Sequence, residues 1–133
     1  MRINLTSVMV DDQEKALQFY TTKLGFIKMA DIPVGEYRWL TVRSPEGPSE
    51  VELVLEPVGF PEAKVFQKAL YKAGTPITAF RTDDIDHEYE LLKSRGVQFR
   101  SEPQVMGPIK AALFEDTCGN LINLVQPLVR PEP

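Results

Sequence analysis

Val10-Asp11-Asp12-Gln13-Glu14-Lys15-Ala16-Leu17-Gln18-Phe19-Tyr20, closing at Leu24-Gly25-Phe26, is a helical pattern that the chain states twice. Thr82-Asp83-Asp84 opens the second statement, which closes at Arg95-Gly96-Val97. Asp11 to Asp83 is 72 positions and Gly25 to Gly96 is 71. Ser44-Pro45-Glu46-Gly47, leading into Val51-Glu52-Leu53-Val54, has its echo in Asp116-Thr117-Cys118-Gly119, leading into Ile122-Asn123-Leu124-Val125. Gly47 to Gly119 is again 72, and Glu52 to Asn123 is 71. A fixed internal period decides architecture ahead of any local signal. The chain reads as two copies of one unit.

Working outward from the first helix, Ile3 to Val10 is rich in β-formers and reads as a strand. Asp11 stands three residues before Glu14, a capping-box spacing that satisfies the free amides of a helix start. Leu17, Tyr20 and Leu24 follow at i, i+3 and i+7, with Ala16 and Phe19 widening the stripe. Gly25 supplies the left-handed residue that ends such a helix. Strand-like runs come next at Phe26–Ala30, Tyr37–Arg43 and Val51–Glu56, giving a unit β-α-β-β-β. The second copy predicts strands at Ile77–Thr82, Val97–Ser101, Ala111–Glu115 and Leu121–Val125 around a helix at Ile85–Arg95. Between the copies, Pro61–Tyr71 reads as a connecting helix with Val65, Phe66 and Ala69 inward, ended by Gly74. The expected fold is α+β: one domain over residues 1–133, with units 3–57 and 76–127 related by a pseudo-twofold and joined by a helical linker 60–74. A helix on one face of each four-stranded sheet leaves the other face bare. Two such mixed sheets side by side make an open cup with the helices outside, and concave surfaces are where small ligands bind.

A formal charge of −4 argues against nucleic acid or an anionic membrane as partner. No apolar run approaches the roughly 18 residues of a membrane helix, and Met1–Leu5 is too polar and short for a signal sequence. One cysteine, Cys118, excludes an internal disulfide and suits a reducing cytoplasm, which is the expected location. The two prolines between Leu128 and Pro133 predict a frayed end.

These motifs resemble the vicinal oxygen chelate superfamily, which includes glyoxalase I, bleomycin-resistance proteins and extradiol dioxygenases. The carriers are the Val10–Tyr20 stretch, Lys23-Leu24-Gly25-Phe26, and Glu115-Asp116-Thr117-Cys118-Gly119-Asn120-Leu121-Ile122-Asn123-Leu124. The similarity spans Ile3 to about Pro127. Thr117-Cys118 stands where the family's turn usually has Pro-Asp, a departure that leaves the hairpin intact. The resemblance implies a homodimer. It also implies four positions for a divalent metal, and here they read Leu5, Glu52, Ile77 and Asn123. Two alkyl groups, one carboxylate and one amide fall short of the three His, Glu, Asp or Cys ligands that a catalytic ion of this kind takes. The expectation is therefore a cup with no metal and no other cofactor. His87, the only histidine, lies between Asp86 and Glu88 on the solvent side of its helix.

Strand alternation gives the lining. Leu5 and Ile77 facing the cup bring Ser7, Met9, Ala79 and Arg81 with them. Glu52 and Asn123 bring Val54, Glu56 and Val125, while Trp39, Thr41 and Arg43 share a face if Leu40 and Val42 point to the helix layer. Leu5, Ser7, Trp39, Thr41, Arg43, Glu52, Val54, Ile77, Arg81 and Asn123 are thus the candidate ligand-binding set. It suits a flat, partly aromatic small organic molecule held by stacking and one or two ionic contacts. Trp39 reads equally well as the cap of a core. Glu52 reads first as a structural ion pair with Arg81 or Arg43, and Cys118 as an exposed turn thiol. Two functions follow: metal-free binding of a small molecule, or a glyoxalase-like lyase or isomerase. The second uses Glu52 as general base, with or without a displaced divalent metal.

Overall fold

The computed structural model describes residues 1–128; the expected frayed tail, from 129 onward, lies outside the described residues. The elements are β1 (Leu5–Val10), α1 (Gln13–Gln18), β2 (Ile27–Val34), β3 (Tyr37–Arg43), β4 (Glu52–Pro57), α2 (Pro61–Ala73), β5 (Thr78–Arg81), α3 (Ile85–Ser94), β6 (Gln104–Met106), β7 (Ile109–Glu115) and β8 (Leu121–Pro127). They form two open four-stranded mixed sheets, ordered β1-β4-β3-β2 and β5-β8-β7-β6. In each the first strand runs parallel to the last and the other pairs are antiparallel. The two βαβββ units stand in tandem as the 72-residue period requires.

The first helix starts one residue later than the capping-box reading placed it, while α3 starts at Ile85 as expected. Asp12 and Asp84, not Asp11 and Asp83, are the N-caps, accepting from the Lys15 and His87 amides at 3.0 and 3.2 Å. An aspartate reaches the amide three residues on, so the second of each Asp-Asp pair wins. In the first unit α1 runs on into one π-helical turn, Phe19–Lys23. That turn takes up an extra residue, which is why the period is 72 at the caps and 71 at the glycines. Gly25 and Gly96 then leave at φ 79° and 88°, a conformation costly to any side chain.

Three expectations shift. Val97–Ser101 is not a named strand: it touches β7 through one bridge, Phe99 to Phe114, and the regular edge forms later, at Gln104–Met106. Pro103, which has no amide to give, sits in the break. The linker helix α2 turns a different face inward. Val65 and Phe66 are 68% and 55% exposed, and Gln67 is the buried residue, flanked by half-buried Ala63 and Leu70. What lies beneath it is backbone: Gln67 Nε2 donates to the Met9 and Cys118 carbonyls and to Asn120 Oδ1 at 3.0–3.2 Å. Buried carbonyls need a donor, and an apolar side chain has none.

The third shift concerns the repeat itself. Thr6 pairs with Leu53 and Thr78 with Ile122, while Val42 pairs with Leu53 and Phe114 with Ile122. Strand β8 is therefore β4 plus 69, not plus 71. The β3–β4 connection, Ser44–Val51, holds three more residues than Asp116–Asn120. The counterpart of Asn123 is Val54, and that of Glu52 is Leu121.

Both helix layers belong to one core. Val8, Val10, Leu40, Val42 and Leu55 of the first sheet join Ala112, Phe114, Ile122 and Leu124 of the second around Phe19 and Tyr20. Phe19 stacks on Phe114 with centroids 6.5 Å apart, and the Tyr20 hydroxyl donates to Asp116 Oδ2 at 2.8 Å. An α1 side chain thus reaches the helix-bearing face of the other sheet. The helix-bearing faces of the two units look at each other, and the bare faces look away. Lys23 Nζ donates to the Arg95 carbonyl and Arg95 Nη1 to the Lys23 carbonyl, a reciprocal exchange that marks the pseudo-twofold.

Candidate functional site

Leu40 and Val42 point into the helix layer, so period-2 alternation puts Trp39, Thr41 and Arg43 of β3 on the bare face of the first sheet. Leu53 and Leu55 likewise leave Glu52, Val54 and Glu56 there, and Val8 and Val10 leave Leu5, Ser7 and Met9. On the second sheet Ala79 and Arg81 share their face with Asn123 and Val125, while Ile77, just before β5, packs against the core. Seven of the ten candidates lie on the first sheet, Arg81 and Asn123 on the second, and Ile77 just before β5. The two faces lie on either side of the shared core, so one chain does not bring the ten together, although Arg43 and Glu52 at the near edge line one cavity with Ala79 of β5.

Trp39 lies 40% exposed, beside Ile32 directly opposite on β2, and Tyr37 is similarly open opposite Val34. Sequence reading ended β2 at Ala30 and missed Ile32 and Val34; the run Lys28–Val34 carries enough alternation to have shown them. Leu5 is 45% exposed on the same face. The bare face of the first unit therefore presents an aromatic and aliphatic surface to solvent, of the kind that marks a ligand or partner site.

Glu52 is half-buried, and its Oε1 accepts from the Thr41 hydroxyl at 2.6 Å. Thr41 is fully buried; its Oγ1 also accepts from the Ala30 amide at 3.1 Å. Thr41 thus positions Glu52 and does not itself meet solvent. The expected ion pair is absent among the described residues: Arg81 pairs with Asp83 at 3.3 Å, and Arg43 leans on the Ser44 carbonyl. The reason is the facing of the units, which puts Arg81 on the other sheet.

The donor set does not fit a catalytic metal. Leu5 and Ile77 carry no ligand atom, and correcting the repeat register swaps Glu52 for Val54 as the partner of Asn123 or leaves Glu52 opposite Leu121. Either choice holds at most one carboxylate, and among the described residues no three His, Cys, Asp or Glu side chains converge.

Cys118, expected at the surface, is fully buried, because α2 lies over its turn. Burial, with Asp116 nearby, pushes its thiol up to about 12. Asp116 itself is raised by burial, against the pull of four hydrogen bonds from the Cys118 and Asn120 amides, the Asn120 side chain and Tyr20. Sequence alone offers no signal for this network, since its members lie up to 96 positions apart.

A relative in Bacillus subtilis (strain 168), the uncharacterized protein YurT, is 51% identical over 126 residues, covering 95% of this chain and 99% of its own. The crystal structure of UcmS2 aligns with a TM-score of 0.79 at 35% identity, over 94% of this chain and 97% of that one. That of TnmS3, an antibiotic binding protein from Streptomyces sp. CB03234, aligns at 0.75 and 34% identity over 96% of each. No helix among the described residues is long and apolar enough to cross a membrane. With its sequence matching the family's profile over residues 2–124, the chain belongs to the Glyoxalase/Bleomycin resistance protein/Dioxygenase superfamily.

Proposed function

We propose that the protein binds a small, flat, partly aromatic organic molecule without a metal, in a cup completed by a second copy of the chain. The observation that carries this is the bare face of the first unit: Trp39, Ile32 and Leu5 open to solvent around a Glu52 already oriented by Thr41. Stacking on Trp39 supplies area, and the free oxygen of Glu52 supplies one polar anchor. Because the bare faces of one chain point apart, a cup that uses Ile77, Arg81 and Asn123 draws them from the second unit of another copy. A homodimer then holds two equivalent cups, and neither is complete in a lone chain. The antibiotic-binding relative supports a small-molecule ligand. The buried single thiol suits a cytoplasmic location. Glu52 as general base in a lyase or isomerase has weaker support, because its hydrogen bond goes to Thr41 and, among the described residues, no second acid or base bonds to it.

Trp39 is the only tryptophan, so its fluorescence reports on this face alone. The test is titration of chelator-dialysed protein with a panel of aromatic antibiotics, paired with light scattering. The reading expects saturable quenching at one ligand per chain, unchanged by EDTA, from a particle of twice 15.0 kDa. Quenching that needs an added divalent ion, or a 15.0 kDa particle that still binds, overturns it.

A further inference from the structure

We propose that the cleft between the two units is a second small-molecule site, sharing only Arg81 with the candidate cup set, which takes an organic cation: an aromatic or aliphatic body bearing a protonated amine. A cavity of about 470 Å³ lies where the Ser44–Pro48 connection passes β5 and α3. Its size is within the roughly 300–1,000 Å³ usual for small-ligand sites. Phe26, Phe80, Leu92 and Phe114 form its floor, with the Phe26 and Phe80 rings edge to face at 5.4 Å. Glu88 of α3 stands in its wall, half-buried, and no hydrogen bond or ion pair among the described residues reaches its carboxylate.

The repeat shows that this space is not an ordinary packing gap. Seventy-two positions earlier, Tyr20 stands where Leu92 stands, and Ala16 where Glu88 stands. In that half the equivalent space is shut. The Tyr20 hydroxyl is tied to Asp116, and the Gln67 amide fills against Gly119, 3.0 Å from where a Cβ would sit. In the open half Leu92 ends short, and Ser44 replaces Asp116. The three additional residues of Ser44–Val51 lengthen the connection that borders the void. An acid replaces an alanine at its wall. Protein interiors are close-packed, and a half-buried carboxylate without a cation beside it is poorly compensated, so an apolar void faced by one suits a cation. Glu46 and Asp83 also line the cavity against one arginine, Arg81, already paired with Asp83; the sign of the lining excludes an anion. The aromatic floor adds cation–π attraction.

The experiment uses 1-naphthylmethylamine as probe, with 1-naphthoate as its anionic counterpart, followed by amide NMR on the full chain. The amine is expected to bind saturably, shifting the amides of residues 44–48 and 88, and the naphthoate to leave them in place. Glu88→Gln, on an accessible helix face, should fold normally and bind about tenfold more weakly. Leu92→Tyr, which restores the side chain of the closed half, should also block binding. Trp39→Phe, a change in the cup, should leave it unaltered. Absence of saturable binding overturns the proposal, as does equal binding by Glu88→Gln. Loss through Trp39→Phe with Glu88→Gln neutral also overturns it and assigns the amine to the cup.

Discussion

Removing one oxygen from Tyr20 tests how the two units are joined. The Tyr20 ring is fully buried and packs among Phe19, Phe26 and Phe80, so Tyr20→Phe keeps every ring contact. What goes is the 2.8 Å hydrogen bond to Asp116 Oδ2. A hydrogen bond to a charged group is worth about 1.5–3 kcal/mol, and here the carboxylate stays buried after its partner is lost. The expected loss at neutral pH is therefore about 2 kcal/mol, close to the middle of that range. Its pH dependence identifies the cause. Burial raises Asp116 above the ordinary carboxylate range, and Tyr20 pulls it down. A raised folded value means that the proton stabilises the fold: this contribution is full below the unfolded value and fades as pH rises through the folded one. Removing Tyr20's pull moves the folded value higher still. The penalty should be largest above the folded value, where Asp116 is charged, and should shrink as acid protonates it. Urea unfolding of both proteins at a series of pH values reads this directly, through midpoints at unchanged slope. A loss below about 0.5 kcal/mol at neutral pH, within the range of an ordinary surface change, would refute the reasoning. So would a loss that grows toward acid.

Two further predictions follow from the same region. Gly119→Ala combines φ of 95° with a new methyl 3.0 Å from the Gln67 amide, whereas Gly35→Ala, at φ 60°, meets nothing within 4 Å. The first should lose about 2 kcal/mol or more and the second about 1, and equal urea midpoints for the two would contradict the packing of α2 on the turn. Cys118, buried and with its thiol near 12, should resist a disulfide reagent at pH 8 in the native protein and react fully in urea; rapid native labelling would show the turn to be open.

The period and the alternation made most of the fold legible. Asp-Asp, Gly25 and Gly96 are local signals with local causes, and Leu40 against Trp39 is simple period-2 reading. Features that depend on what lies opposite were not legible. Gln67 is buried because bare carbonyls wait beneath α2, and nothing near it in sequence says so. The three additional residues before β4 were masked because Ser44–Gly47 and Asp116–Gly119 match in type, which made Glu52 look like the mate of Asn123. The candidate site was legible as a parity, strand by strand. The facing of the two units was not, since an apolar stripe on α1 serves equally to cover its own sheet or to join two sheets, and here it does both.

The central claim, a cup shared between copies and lacking a metal set, is most directly tested by nickel titration of mixed single variants. Leu5→His and Ile77→His are made on separate chains and combined by subunit exchange. A shared cup brings the new imidazoles together only in the heterodimer, with Glu52 beside Leu5→His, a two-imidazole, one-carboxylate set able to hold Ni²⁺. The account predicts no stoichiometric nickel site in the dialysed parent or in either variant alone, and a tight site that appears on mixing. Tight binding by the parent, abolished by Glu52→Ala, would contradict the metal-free cup. A mixture that stays inert, while the Leu5→His/Ile77→His double variant binds nickel as a monomer, would contradict the sharing of the cup.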